Sequence, residues 1–139
     1  MDQSQPHFTT VGQLIHTNPL QFGVTTTCME VAIALLSSHL SGGPVLDKAG
    51  KYLGFVSEFD LLKALDHSQD LKKVTTQQIM SKEAHLIHNG TTIKEAIRIM
   101  KEKKLLNLCV EENGVIPKTF TRHDLLRGYL GVDLGIDEE

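Results

Sequence analysis

Apolar residues recur at helical spacing in two windows of the chain. In the first, Met29, Ile33, Leu36 and Leu40 share a stripe that Ala32 and Leu35 widen, and Thr27 with Glu30 supplies a capping box. A helix is expected over Cys28–Leu40. In the second, Ile93, Ala96, Ile97 and Met100 share a face, Thr92 and Glu95 cap it, and Lys94, Arg98 and Lys101 lie opposite, predicting a helix over Ile93–Lys103. Each helix is followed by a hairpin pattern. Gly42-Gly43 closes the first helix, 44–47 is a short strand, Ala49-Gly50 turns, and 52–57 returns. In the second, 107–111 and 115–120 flank Asn113-Gly114, a strong two-residue hairpin signal, with Pro117 marking an edge strand or a bulge. Both hairpins run into a helix opened by Ser57-x-x-Asp60 or Thr121-x-x-Asp124. Lead-ins at 11–16 and 75–80 precede extended segments at 20–24 and 84–88, so each unit reads β-α-β-β-α.

The two units are one pattern written twice. Displacing the sequence by 64 positions superposes 11–62 on 75–126 without a gap and matches Gln13/Gln77, Ile15/Ile79, Thr27/Thr91, Ala32/Ala96, Ile33/Ile97, Gly50/Gly114, Asp60/Asp124, Leu61/Leu125 and Leu62/Leu126. Two units without a third imply a packed pair rather than a solenoid. The expected organisation is an N-terminal extension at 1–10, a first repeat at 11–66, a polar linker at 67–74, a second repeat at 75–130 and an acidic tail at 131–139. The fold class is α+β, with helices on one face of each small sheet and the two sheets free to pack on one another.

Composition adds little until charge is divided. The 139 residues are 40% hydrophobic and 22% charged, an ordinary globular balance for one domain that needs no metal or disulfide to fold. The net charge of −3 conceals −3 over 1–66, +4 over 67–130 and −4 over the tail, so a phosphate-bearing partner is expected to prefer the second half. Cys28 and Cys109 are too far apart in sequence to form a redox or metal motif and read as buried thiols. No apolar run approaches the ~18 residues of a membrane helix, and the first residues lack a signal peptide's pattern. No membrane association and a cytoplasmic location are the expectations.

The chemistry concentrates where each hairpin meets its second helix. Gly54-Phe55-Val56-Ser57-x-x-Asp60 and Lys118-Thr119-Phe120-Thr121-x-x-Asp124 place a hydroxyl beside the first N–H groups of a helix and a carboxylate one turn on. Such a terminus favours an anion, and a carboxylate can accept both hydroxyls of a vicinal diol. Either copy alone is also an ordinary N-cap. With Ser41-Gly42-Gly43-Pro44-Val45-Leu46-Asp47, Gly50 and the Leu61-Leu62 and Leu125-Leu126 pairs, the chain resembles the cystathionine β-synthase (CBS) domain pair, or Bateman module, over nearly all of 11–130.

That resemblance implies a pseudo-twofold pair whose two inter-repeat clefts hold an adenine nucleotide or S-adenosylmethionine as a regulatory ligand, no cofactor being required. It implies ribose contact by Asp60 or Asp124 and phosphate or ribose contact by Ser57 or Thr121. Backbone around Leu20, Gly43, Pro44 and Val45, or around Leu86, Asn107, Leu108 and Cys109, would face the base. It implies a homodimer, a flat disc of four units to which the faces 29–40 and 93–104 contribute, and a regulated protein partner. Lys118, Pro117 and Asn107-Leu108-Cys109 depart from the family pattern in the second copy. Charge favours that copy nonetheless, because Arg122, His123 and Lys118 stand where the first has Glu58, Phe59 and Gly54. The expectation is that the second cleft is the binding one.

His85-x-x-His88 lacks a third ligand, so no metal site is expected. The basic residues of 94–104 have no interleaved aromatics, which argues against nucleic acid. No nucleophile elbow, Walker loop or zinc-protease motif is present, so catalysis is not expected. The alternative to a sensor is a ligand-free dimerisation or adaptor domain whose clefts have degenerated.

Overall fold

The computed structural model describes residues 10–83 and 86–131. Most of the N-terminal extension, most of the acidic tail, and Ala84 and His85 of the second extended segment lie outside the described residues. A 3-10 turn at Val11–Gln13 precedes α1 (Cys28–Ser38), β1 (Gly42–Leu46), β2 (Tyr52–Ser57) and α2 (Glu58–Asp66). The second unit follows as α3 (Thr76–Ile79), β3 (Leu86–Ile87), α4 (Ile93–Lys103), β4 (Asn107–Glu112), β5 (Val115–Thr121) and α5 (Arg122–Leu130). β1 and β2 pair antiparallel, while β3, β4 and β5 form a second sheet with β3 parallel to β4 and β4 antiparallel to β5. The two residues between β4 and β5 are Asn113 and Gly114, at φ 52° and 83°, the left-handed pair a tight hairpin requires. Pro117 sits in β5, an edge strand, where its missing N–H costs no ladder bond.

Three sequence expectations are corrected. First, α1 ends at His39 in the left-handed region, φ 60°, before the Gly42-Gly43 pair. The glycines serve β1 instead: a Cβ on Gly42 would stand 2.7 Å from the Phe55 ring and the Val56 carbonyl. Second, the buried stripe of α1 is Cys28, Val31 and Leu35, whereas Ile33 and Leu36 are 57% and 71% exposed. This helix is apolar nearly all round, so spacing alone does not choose its core face. On the amphipathic α4, Ile93, Ala96 and Met100 are buried as expected. Third, the opening strands are rudimentary. Phe22 makes one parallel bridge to Val45, β3 is Leu86–Ile87 among the described residues, and turns at 23–26 and 88–91 end both extended runs.

The lead-ins cross over. Val11 and Leu14 pack into the core of the second unit with Ile93, Ala96, Phe120 and Leu125, and Val11 and Gly12 donate to the carbonyls of Thr91 and Asn89. Reciprocally, Ile79 and Met80 pack against the first unit's core. The polar segment between the units is also anchored, since Leu71 and Val74 are buried and their carbonyls accept from Met29 and Cys28. Between the sheets, Leu46, Cys109 and Ile116 form a third cluster, so the two sheets pack on each other as expected. Each inter-repeat cleft is therefore bounded by one unit's helix-opening motif and the other unit's lead-in.

Candidate functional site

Both motifs fold as capping boxes, for the reason the spacing implies: Ser57 and Thr121 accept from the N–H groups of Asp60 and Asp124, whose carboxylates accept back. Most of the N–H donors at the resulting termini are already spent. Glu58 N–H donates to the Ser41 carbonyl, Arg122 N–H donates to the Leu106 carbonyl, and the Asp60 and Asp124 N–H groups bond their own caps. Beyond that shared pattern the two carboxylates differ.

Asp124 is 1% exposed and saturated. Its Oδ2 accepts from the backbone N–H groups of Thr17 at 3.1 Å and Thr121 at 2.9 Å, and its Oδ1 accepts from the Thr17 hydroxyl at 2.8 Å and from Arg127 at 2.5 Å. Leu14 lies against Gly128, where a Cβ would meet a Leu14 methyl at 2.3 Å. Gly43, expected to face a base beside Asp60, is covered, since a Cβ there would meet Leu20 and Phe22 at 3.1 Å. The segment that crosses from the first repeat thus occupies the Asp124 carboxylate. Charge had favoured this cleft, where Arg122 and His123 are exposed and Lys118 is half-buried; none of the three is among the residues that line the 840 Å³ cleft beside Asp60.

Asp60 is half-buried and keeps an oxygen in reserve. Its Oδ2 accepts from the Ser57 N–H at 2.8 Å and hydroxyl at 3.0 Å, while Oδ1 accepts nothing from the described residues. It opens onto a cleft of about 840 Å³ bounded by Ser57–Asp60, the end of α4 with Lys103 and Lys104, the segment Ser81–Glu83, and Ser41, Tyr52, Phe55, Asn107 and Cys109. Asn107 and Cys109, expected to face a base beside Thr121 and Asp124 in the second cleft, line the Asp60 cleft instead, because the strand that walls each cleft comes from the other repeat. Leu108 points into the second unit's core and Leu86 packs between the sheets. Asn107 is fixed by donating to the Ser41 hydroxyl at 2.9 Å and accepting from Asn18 at 2.9 Å. Burial pushes the Cys109 thiol up to about 11, and burial, then the neighbouring Cys109, pushes Tyr52 above the usual phenol range.

A one-residue slip separates the clefts. In the first, Ser81 bridges Phe55, and its N–H donates to the Phe55 carbonyl at 2.9 Å. At the matching place in the second, Thr119 bridges Asn18 rather than Thr17, leaving the Thr17 N–H for Asp124. Sequence reasoning missed Thr17 and Ser81 although the 64-residue displacement pairs them, and missed Tyr52, Lys103 and Lys104 because only folding brings them to this cleft.

A tandem pair of β-α-β-β-α units with crossed lead-ins and inter-repeat clefts defines the class of molecule. A family model described as CBS domain matches residues 11–67 and 77–131. The chain belongs to the CBS-domain family and carries two copies. Among solved structures it is similar to CBSX2 in complex with AMP (23% identity, TM-score 0.79, 90% of this chain and 98% of that one). It is also similar to the CBS domain pair of MJ0100 in complex with 5'-methylthioadenosine and S-adenosyl-L-methionine (22%, 0.76, 88% and 97%). A third is the CBS-domain protein ATU1752 of Agrobacterium tumefaciens (22%, 0.76, 86% and 92%). Among curated proteins, arabinose 5-phosphate isomerase KdsD of Pseudomonas aeruginosa is 34% identical over 84 residues, 60% of this chain and 26% of that protein. MK0525 of Methanopyrus kandleri is 22% identical over 119 residues, 84% of this chain and 61% of that protein. The chain therefore spans less than two thirds of these curated relatives. Among the described residues no helix is long and apolar enough to cross a membrane, and no cluster of three His, Cys, Asp or Glu could hold a metal.

Proposed function

We propose that the chain is a non-catalytic sensor that binds one adenine-nucleoside ligand, an adenine nucleotide or S-adenosylmethionine, in the first cleft. The observation that carries this reading is the bare Oδ1 of Asp60 at the edge of an 840 Å³ cleft, set against an Asp124 with no acceptor site left. Asp60 would accept the ribose diol, with Asn107 and Cys109 of β4 beside the base. The complexes of two similar pairs with AMP and with S-adenosyl-L-methionine support the ligand class. The sensor works as a homodimer in the cytoplasm: Ile33 and Leu36 on α1 and Phe59, Leu62 and Leu65 on α2 are all at least half exposed, a large apolar surface for a free monomer. Ligand and partner act on each other only if the ligand distinguishes two arrangements of the pair.

The same apolar row favours a second reading, a ligand-free dimerisation or adaptor domain. Thermal melting with AMP, ADP, ATP and S-adenosylmethionine separates the two. A ligand at 100 times its Kd adds about 2.7 kcal/mol, so the sensor predicts a rise of several degrees with at least one compound, lost in Asp60→Ala. No rise with any compound, in a folded dimer, leaves the adaptor.

A further inference from the structure

Resting on that reading of the first cleft, we infer that Lys103 and Lys104 at the end of α4 are its anion-recognition residues, and that the ligand is a nucleoside polyphosphate. A phosphate chain needs N–H groups or cations, and the start of α2 offers few. The Ser57, Glu58 and Asp60 N–H groups are spent on Asp60, Ser41 and Ser57 respectively. Among the described residues the only basic ones that line the cleft are Lys103 and Lys104, and neither pairs with a carboxylate. Elsewhere on α4, Arg98 is held between Glu95 and Glu102. A lysine in the last turn of a helix offsets the dipole wherever it points. Nothing in that effect requires two in succession at a cleft. Lys104 takes the left-handed conformation, φ 55°, at which α4 stops.

The acids of the cleft set direction. Glu58 and Asp60 stand on α2 and Glu83 follows the crossing lead-in, apart in sequence and element from the lysines. An anionic tail is repelled from the α2 side, where the diol meets Asp60, and drawn towards α4. A ligand with a single phosphate beside the ribose gains least from this arrangement. One whose phosphates extend to both ammonium groups gains most.

The test is a calorimetric titration of the full chain with adenosine, AMP, ADP and ATP at low and at 0.5 M salt. Affinity is expected to rise at least tenfold from AMP to ATP and to fall with salt. In K103A/K104A the rise should vanish while adenosine binds as before, and K101A, a lysine not lining the cleft, should behave as wild type. Equal affinity along the series, an unaltered rise in the double variant, or tighter binding of S-adenosylmethionine than of ATP would overturn the lysine assignment while leaving the cleft intact. Failure of every compound, adenosine included, would remove the reading of the cleft itself and the lysine assignment with it.

Discussion

Asp60 and Asp124 occupy the same place in two copies of one motif, yet one faces a cleft and the other is sealed. The difference does not lie in the motif, since both capping boxes form with nearly the same distances. It lies in what crosses over from the other repeat. Thr17 presents an N–H and a hydroxyl to Asp124 as a diol would present two hydroxyls, and Arg127 neutralises the buried charge. The matching residues of the first cleft, Ser81 and Lys63, do neither: Ser81 is held by Phe55, and Lys63 is exposed. A signature therefore marks where a ligand can be held. The lead-in decides whether the place is already taken.

The largest consequence is in stability. Asp124→Ala strands the Arg127 guanidinium in a buried site and should cost about 3–5 kcal/mol. Asp60→Ala removes only the reciprocal half of a partly exposed capping box and should cost about 1 kcal/mol. Urea denaturation of both variants measures the gap, and equal losses would erase the distinction between the clefts. The next consequence isolates the crossing residue. Thr17→Val removes a hydrogen bond to a buried charged group, about 1.5–3 kcal/mol, whereas Ser81→Ala, at a residue whose bridge is made by the backbone, should stay within about 0.5 kcal/mol. A Thr17→Val loss no larger than that of Ser81→Ala would mean that Thr17 does not close the second cleft.

The repeat, the hairpins and α4 were legible in the sequence because each is a local matter of spacing, caps and turn residues. The Ile93–Lys103 helix and the Asn113-Gly114 turn stand where the pattern put them. The core face of α1 was not legible, because a helix apolar on most sides takes its orientation from its neighbours. Charge favoured the second motif through Arg122 and Lys118, but nothing local shows the crossing segment that covers Asp124. The slip that moves Asn18 rather than Thr17 opposite Thr119 is a tertiary fact. The only trace of it in the sequence is Arg127-Gly128, which stands where the first copy has Lys63-Ala64 and provides both the counter-charge and the room for Leu14.

The smallest effect separates the clefts by pH. Cys109 lines the open cleft at the strand position that Val45 holds in the other repeat, and burial raises its thiol from 9.0 to about 11. An acid whose folded pKa is raised keeps its proton in the native state while the unfolded chain loses it. Its contribution is intact below pH 9 and is lost as pH climbs towards 11. By pH 10 that loss is about 1 kcal/mol for one group over one unit. Cys109→Val, which copies the other repeat, should flatten the decline in stability between pH 8 and pH 10 by that amount and leave the neutral-pH value nearly unchanged. The buried Cys28 and the half-buried Tyr52 titrate upward too, so a shallower decline persists in the variant. An unchanged slope would place the Cys109 thiol in contact with water through the cleft, which would then be more open than its 3% exposure implies.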